Sequence, residues 1–129
     1  MGEVTNRRPA MRFEDLVVWQ RSHSLVLSIY HLSATFPKSE AFGLVTQMRR
    51  AAVSVAANIV EGFQRKSTTE KLRFMNISQG SLQELRYFLI LVEDLKFGET
   101  LNLREDLAKV GRLLAAYMRG IERRMDSPS

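Results

Sequence analysis

The sequence predicts an all-α protein, an antiparallel up-down-up-down four-helix bundle, and three observations carry that prediction. Four segments of roughly 20 residues repeat apolar side chains at spacings of three and four, the signature of amphipathic helices. Breakers separate them at Phe36-Pro37, from Gly62 to Lys66, and at Gly98. No strand-like alternation and no internal repeat competes with this pattern. Helices of that length span about 30 Å, and short connections make neighbours antiparallel.

Residues 1–11 are polar, carry Arg7, Arg8 and Pro9, and show no periodicity, so a flexible arm is expected ahead of a bundle at 12–125 and a tail at 126–129. Helix 1 is expected to start near Asp15 as N-cap and to carry Leu16, Trp19, His23, Val26 and Tyr30 on its core stripe. The central helix, Phe42 to Arg65, organises the rest, with Ser39 as a cap or Gly43 marking its start. Leu44, Met48, Ala51, Ala52, Val55 and Ile59 form its core stripe, while Val53, Ala57 and Val60 project from the opposite side. A helix apolar on two sides is expected to face its own core and a neighbouring subunit; the alternative is that it is the most buried helix of a single subunit. Gln47, Ser54, Asn58 and Glu61 form a polar stripe between, flanked by Arg49 and Arg50, and Asn58 reads as a hydrogen-bonded register device.

Ser67, Thr68 or Thr69 caps helix 3, and Glu70 in its first turn suits the helix dipole. Its face holds Phe74, Ile77, Ser78, Ser81, Leu85, Phe88, Val92 and Leu95, and Gly98 is the expected C-cap. Gly80 with Ser81 reads as close packing between helices 2 and 3, with a ligand cavity as the lesser alternative. Helix 4, capped by Asn102, has the cleanest heptad: Leu103, Leu107, Val110, Leu114, Tyr117 and Ile121.

A chain of 129 residues suits one domain with a single core. The absence of cysteine excludes a disulfide scaffold, thiolate catalysis and Cys-ligated zinc, and makes the cytoplasm the default location. No secretory or membrane-spanning pattern is present, so no membrane partner is expected. His23 and His31 both fall on helix 1, neither preceded by glutamate three residues earlier, so the ligand pairs of di-iron bundles are missing. His23 reads as a core histidine, and Glu61 and Glu84 are placed to approach each other across helices 2 and 3. With no phosphate-cradling, nucleophile-elbow or zinc motif, no catalytic residue, metal ligand or cofactor is expected.

Lys+Arg 19 against Asp+Glu 14 leaves a net charge of +5, and most of the bases are arginine, which suits bidentate contacts to phosphate. In the predicted bundle one pole gathers Arg65, Lys66, Lys71, Arg73, Arg119, Arg123 and Arg124, together with Arg7, Arg8 and Arg12. That pole is net positive and the other net negative, while Arg21, Arg49, Arg50, Arg86 and Arg112 make the waist positive. RNA or DNA is therefore the expected partner, bound with little sequence preference at the pole and at Arg49 and Arg50. The competing reading is that these are solvated helix ends.

The runs Phe13-Glu14-Asp15-Leu16, Val18-Trp19-Gln20, Phe36-Pro37 with Glu40, Gly43-Leu44, Gln47-Met48-Arg49-Arg50-Ala51-Ala52, Asn58-Ile59 with Glu61-Gly62, and Gly80-Ser81 with Glu84-Leu85 resemble a known family. It is the group of small four-helix-bundle proteins first met as products of intervening sequences in bacterial large-subunit (23S) ribosomal RNA genes, to which the accessory variability protein of diversity-generating retroelements is similar. The resemblance covers residues 12–123, with mild departures at Ser22-His23 and Lys96-Phe97-Gly98. It implies a bacterial bundle with relatives that form ring-shaped pentamers, and relatives that bind RNA and a reverse transcriptase through a basic surface. It implies no catalysis. Two functions of different class follow: a homo-oligomeric nucleic-acid-binding module, or a homo-oligomeric scaffold or accessory subunit docking another protein without touching nucleic acid.

Overall fold

A computed structural model describes residues 9–126, and the side chains of residues 9–124. Four α-helices account for it: α1 (Val17–Ser33), α2 (Lys38–Phe63), α3 (Thr68–Asp94) and α4 (Leu101–Asp126), preceded by a single 3₁₀ turn at Phe13–Asp15. Each helix packs on its sequence neighbours, and α4 returns to α1 to close the ring; neither diagonal pair meets. The antiparallel order of α2 and α3 is legible in their cross-contacts. The Lys71 ammonium reaches the Phe63 carbonyl, Ser78 Oγ donates to the Val55 carbonyl, and Ser81 Oγ meets Ser54 Oγ. Between α3 and α4, Thr100 Oγ1 donates to the Leu89 carbonyl, and Leu82 stands against Gly111 further along.

The core is a continuous apolar column including Leu25, Ile29, Met48, Val55, Ile59, Met75, Leu85, Leu89, Val110, Leu114 and Ile121. The predicted core stripes of α2 and α4 lie on it: Leu44, Leu103 and Tyr117 are partly covered, and Met118 joins α4's buried set. Two stripes are displaced. On α1 the buried face is Val18, Ser22, Leu25, Ile29 and Ser33, not the predicted line through His23 and Tyr30. The serines make this possible because each hydroxyl donates to a carbonyl one turn back, Ser22 to Val18 and Ser33 to Ile29, both at 2.7 Å. His23 lies outside the core, stacked on Trp19 with ring centroids 5.0 Å apart. On α3 the buried face is Met75, Ser78, Leu82, Leu85, Leu89 and Val92, while Ile77 and Leu95 are exposed.

The helix ends also differ in part from expectation. Asp15 does not cap α1: its carboxylate accepts the amides of Met11 and Arg12 behind it, and extended Leu16 delays the helix to Val17. Ser39 and Gly43 both lie inside α2, which starts directly after Pro37. Ser67 caps α3 as expected, accepting the Glu70 amide. Asn102 falls inside α4, and Thr100, which accepts the Arg104 amide at its carbonyl, occupies the corner instead. Gly98 does not close α3. Lys96 does, at φ 62°, with its amide on the Glu93 carbonyl and the Phe97 amide on the Val92 carbonyl, a complete Schellman pair. Phe97 then packs on Phe36, their centroids 5.5 Å apart. The predicted arm lies outside the described residues for positions 1–8, and so does the predicted tail for 127–129; Asp126 itself ends α4.

Candidate nucleic-acid and subunit surfaces

Two predicted sets prove to be one surface. Val53 and Ala57, expected at a subunit interface, share a groove of about 610 Å³ with Arg49 and Arg50, expected at nucleic acid; Tyr30, Thr46, Ser54 and Asn58 complete its lining. Val53 is 43% exposed and Tyr30 41%, so this concavity offers apolar surface to solvent. Val60, one turn beyond Ala56, is partly covered and lies off the groove. Arg49 is fixed in place: its Nε donates to Ser33 Oγ at 2.9 Å and its guanidinium lies 4.4 Å over the Tyr30 ring. Arg50 is exposed. Tyr30 was missed as a member of this surface because the spacing placed it on the core stripe; burial of Ser33 turns it outward.

Behind the groove, Asn58 Nδ2 donates to the Ser54 carbonyl at 2.8 Å and Ser54 Oγ meets Ser81 Oγ at 2.7 Å. The bond that crosses to α3 is Ser54–Ser81; Asn58, expected as a register device, bonds only Ser54 of its own helix. Gly80 does not contribute to the close approach: a Cβ there would meet nothing within 4 Å. Gly62 does, since a Cβ there would collide with the Met75 side chain and press on Phe74 and the Lys71 carbonyl. Glu61 and Glu84 are not brought together. Glu61 lies level with Phe74, which puts Glu84 about ten residues, or roughly 15 Å, along α3.

The basic pole assembles at the α2–α3 turn and the end of α4, but much of its charge is engaged. Arg65 pairs with Glu61 at 2.9 Å and Arg73 with Glu70 at 3.1 Å. Both guanidinia also flank Phe74, at 4.7 Å and 4.5 Å from its ring centre. Lys71 closes the end of α2 by donating to the Phe63 carbonyl at 2.6 Å. Burial, and then the charge of Arg124, hold its ammonium below the ordinary lysine range. Burial pushes the Tyr117 hydroxyl up, and Arg124 partly opposes it. Lys66, Arg119, Arg123 and Arg124 are exposed and make no ion pair among the described residues. Arg12 is exposed beside the opening turn, which packs on α1 and α2, and Arg7 and Arg8 lie outside the described residues.

Among the described residues, no helix is long and apolar enough to cross a membrane, and no three His, Asp or Glu side chains gather as a metal-binding group. No curated protein matches the chain. The model of one family, the 23S rRNA-intervening sequence protein, matches residues 14–116. That span takes in the 3₁₀ turn's end, α1, α2, α3 and most of α4, with the Arg49–Ala57 groove and the Ser54–Ser81 bond inside it. With its four-helix architecture and a match over most of its length, the chain belongs to the 23S rRNA-intervening sequence protein family.

Proposed function

We propose that this protein is a non-enzymatic, self-assembling, cytoplasmic nucleic-acid-binding protein that holds RNA or DNA by its phosphates with little sequence preference. The observation that carries the reading is the small number of ion pairs. Only Arg65–Glu61, Arg73–Glu70 and Arg104–Glu93 form among the described residues, so most cations face solvent uncompensated on a chain of net charge +5. Exposed aromatics are too few for a stacking platform, which argues against base recognition. The groove around Val53 and Ala57 seats a neighbouring copy, and Arg49, tied to Tyr30 and Ser33, belongs to that contact more than to nucleic acid. Catalysis finds no support in the histidines: His23 is stacked on Trp19 and exposed, and His31 bonds the Leu27 carbonyl of its own helix.

A scaffold that docks a different protein, for example a reverse transcriptase, on the same apolar groove is the second reading, favoured by the exposure of Val53 and Tyr30. A salt titration of binding to mixed-sequence RNA, run beside light scattering, separates the two. An oligomer whose affinity falls steeply from low to physiological salt supports nucleic-acid binding; an oligomer that binds no RNA even at low salt leaves the scaffold.

A further inference from the structure

The cations with no ion pair are not confined to the pole. Two grooves border α4, one against α3 and one against α1. Arg86 and Arg112 line the first, about 610 Å³, together with Gln79 and Gln83. Arg21 and Lys109 line the second with Ser24 and Ser28, and a shallower concavity joins Arg21, Lys109 and Arg112 over Leu113. Successive members of the series Arg86, Arg112, Lys109, Arg21 therefore share a concavity. Neighbouring helix axes in a bundle lie about 8–10 Å apart, so the series crosses three helices over roughly 20 Å. Asp106 borders the α1 groove, yet none of the four cations makes an ion pair among the described residues.

We propose that this belt, Arg21, Arg86, Lys109 and Arg112, is the principal phosphate-binding track of the molecule; the proposal rests on the nucleic-acid reading above and assigns its surface. The contrast with the pole is chemical. At the pole Arg65 and Arg73 already satisfy carboxylates and Lys71 caps a helix, so a phosphate reaching those three must displace their partners, and Lys66, Arg119, Arg123 and Arg124 are the pole cations open to it without such a cost. On the belt nothing has to be displaced.

The lining also selects the occupant. An amphipathic helix needs apolar anchors in its groove, but Leu82, Leu107 and Val110 on the groove floors are between 1% and 3% exposed. The apolar surface left on the walls comes from the short side chains of Ala108 and Ala115 and from part of Leu113, while the guanidinium, ammonium, amide and hydroxyl groups of the lining suit phosphates and sugar hydroxyls. No aromatic residue lines these grooves, so bases are not read. The location is compatible with assembly too. The α2 and α4 backbones do not approach each other, so α4's cations lie across the core from the Val53–Ala57 groove and stay open when a second copy sits there.

The test is fluorescence anisotropy of the full chain with a 20-nucleotide mixed-sequence RNA across a salt series. Four phosphate contacts to a single strand predict a slope of log affinity against log salt of about −3. The belt variant R21Q/R86Q/K109Q/R112Q should lose tenfold or more in affinity at low salt with the slope approaching zero. The pole variant K66Q/R119Q/R123Q should stay within about threefold of wild type. Far-ultraviolet circular dichroism and thermal melts verify folding, and the single R112Q, at the residue shared by the α3 groove and the shallower concavity, should still lower the slope by about 0.7 if the quadruple variant is unstable. A belt variant with wild-type affinity beside a weakened pole variant overturns the belt and leaves the nucleic-acid reading standing. No binding by the wild type at low salt removes both. Displacement of the RNA by polyglutamate at equal charge concentration and with equal potency would reassign the belt to an acidic protein.

Discussion

At Gly62 an added methyl group would meet the Met75 side chain, Phe74 Cβ and a backbone carbonyl, whereas at Gly80 it would meet open space. The two glycines therefore respond oppositely to the same substitution. Gly62→Ala makes the Met75 side chain shift and presses on Phe74 Cβ and the Lys71 carbonyl, and should lower stability in urea unfolding by about 1–3 kcal/mol. Gly80→Ala gains helix propensity with no clash and should raise it by about 0.5–1 kcal/mol. Lys96 carries a left-handed backbone that its Cβ disfavours, so Lys96→Gly should stabilise by roughly 1 kcal/mol while retaining the Schellman hydrogen bonds. None of these three environments could be read from spacing. Gly98 looked like the helix stop because glycine is the usual residue there, but its place is under Leu32, where a Cβ would come within 3.2 Å of that side chain.

The elements themselves were legible wherever one stripe dominated. The predicted stripes of α2 and α4 lie on the core because their apolar residues fall on one line, with the second line of α2 plainly separate. α1 offers two adjacent stripes, and which one is buried depends on serines satisfying themselves against their own backbone, a matter of rotamers that composition does not disclose. The charged pole was legible as a list of cations but not as pairs, since Glu61 and Glu70 neutralise Arg65 and Arg73 only through helical proximity in their actual rotamers.

On α2 the outward groove makes a direct prediction: Ala57→Glu should yield smaller species in light scattering with helicity intact, and an unchanged mass would place the subunit contact elsewhere. At the joint of α2 and α3, Lys71 has a folded pKa below its ordinary 10.5, so the unfolded chain binds more protons as pH climbs towards that value. Stability relative to a Lys71→Met variant should consequently rise with alkalinity up to about 10.5. Tyr117 acts in the opposite sense above 10.0, where the unfolded chain loses its phenolic proton first and stability falls.

For the whole molecule, the arrangement divides labour between opposite corners: α2 presents an apolar, arginine-edged groove, and α4 is bordered by grooves edged with cations that make no ion pair among the described residues. If copies join through α2, the α4 belts repeat around the assembly, and linked sites raise the effective concentration of each for one long polyanion. Affinity for long RNA should accordingly exceed that for a 20-nucleotide strand by far more than the number of extra sites, and Ala57→Glu should abolish that excess while leaving short-strand binding intact. Equal affinities for both lengths would mean that the belts act singly.

The ring of helices closes through a single pair that is not adjacent in sequence, α1 against α4. Every other contact between α-helices is made by a pair joined through a short turn, so it can form at little loop-closure cost, and the α1–α4 seam has to wait until the chain's two ends meet. Kinetically, the α2–α3 hairpin is the natural nucleus. Ser78→Ala, which removes its buried link to the Val55 carbonyl, should slow refolding, while Leu25→Ala at the seam should leave refolding nearly unchanged and accelerate unfolding. The groove that carries Arg21 and Lys109 would then lie along the first line to open, and a strand bridging Arg21 to Arg112 would act as a staple across it, protecting the amides of α1 from hydrogen exchange.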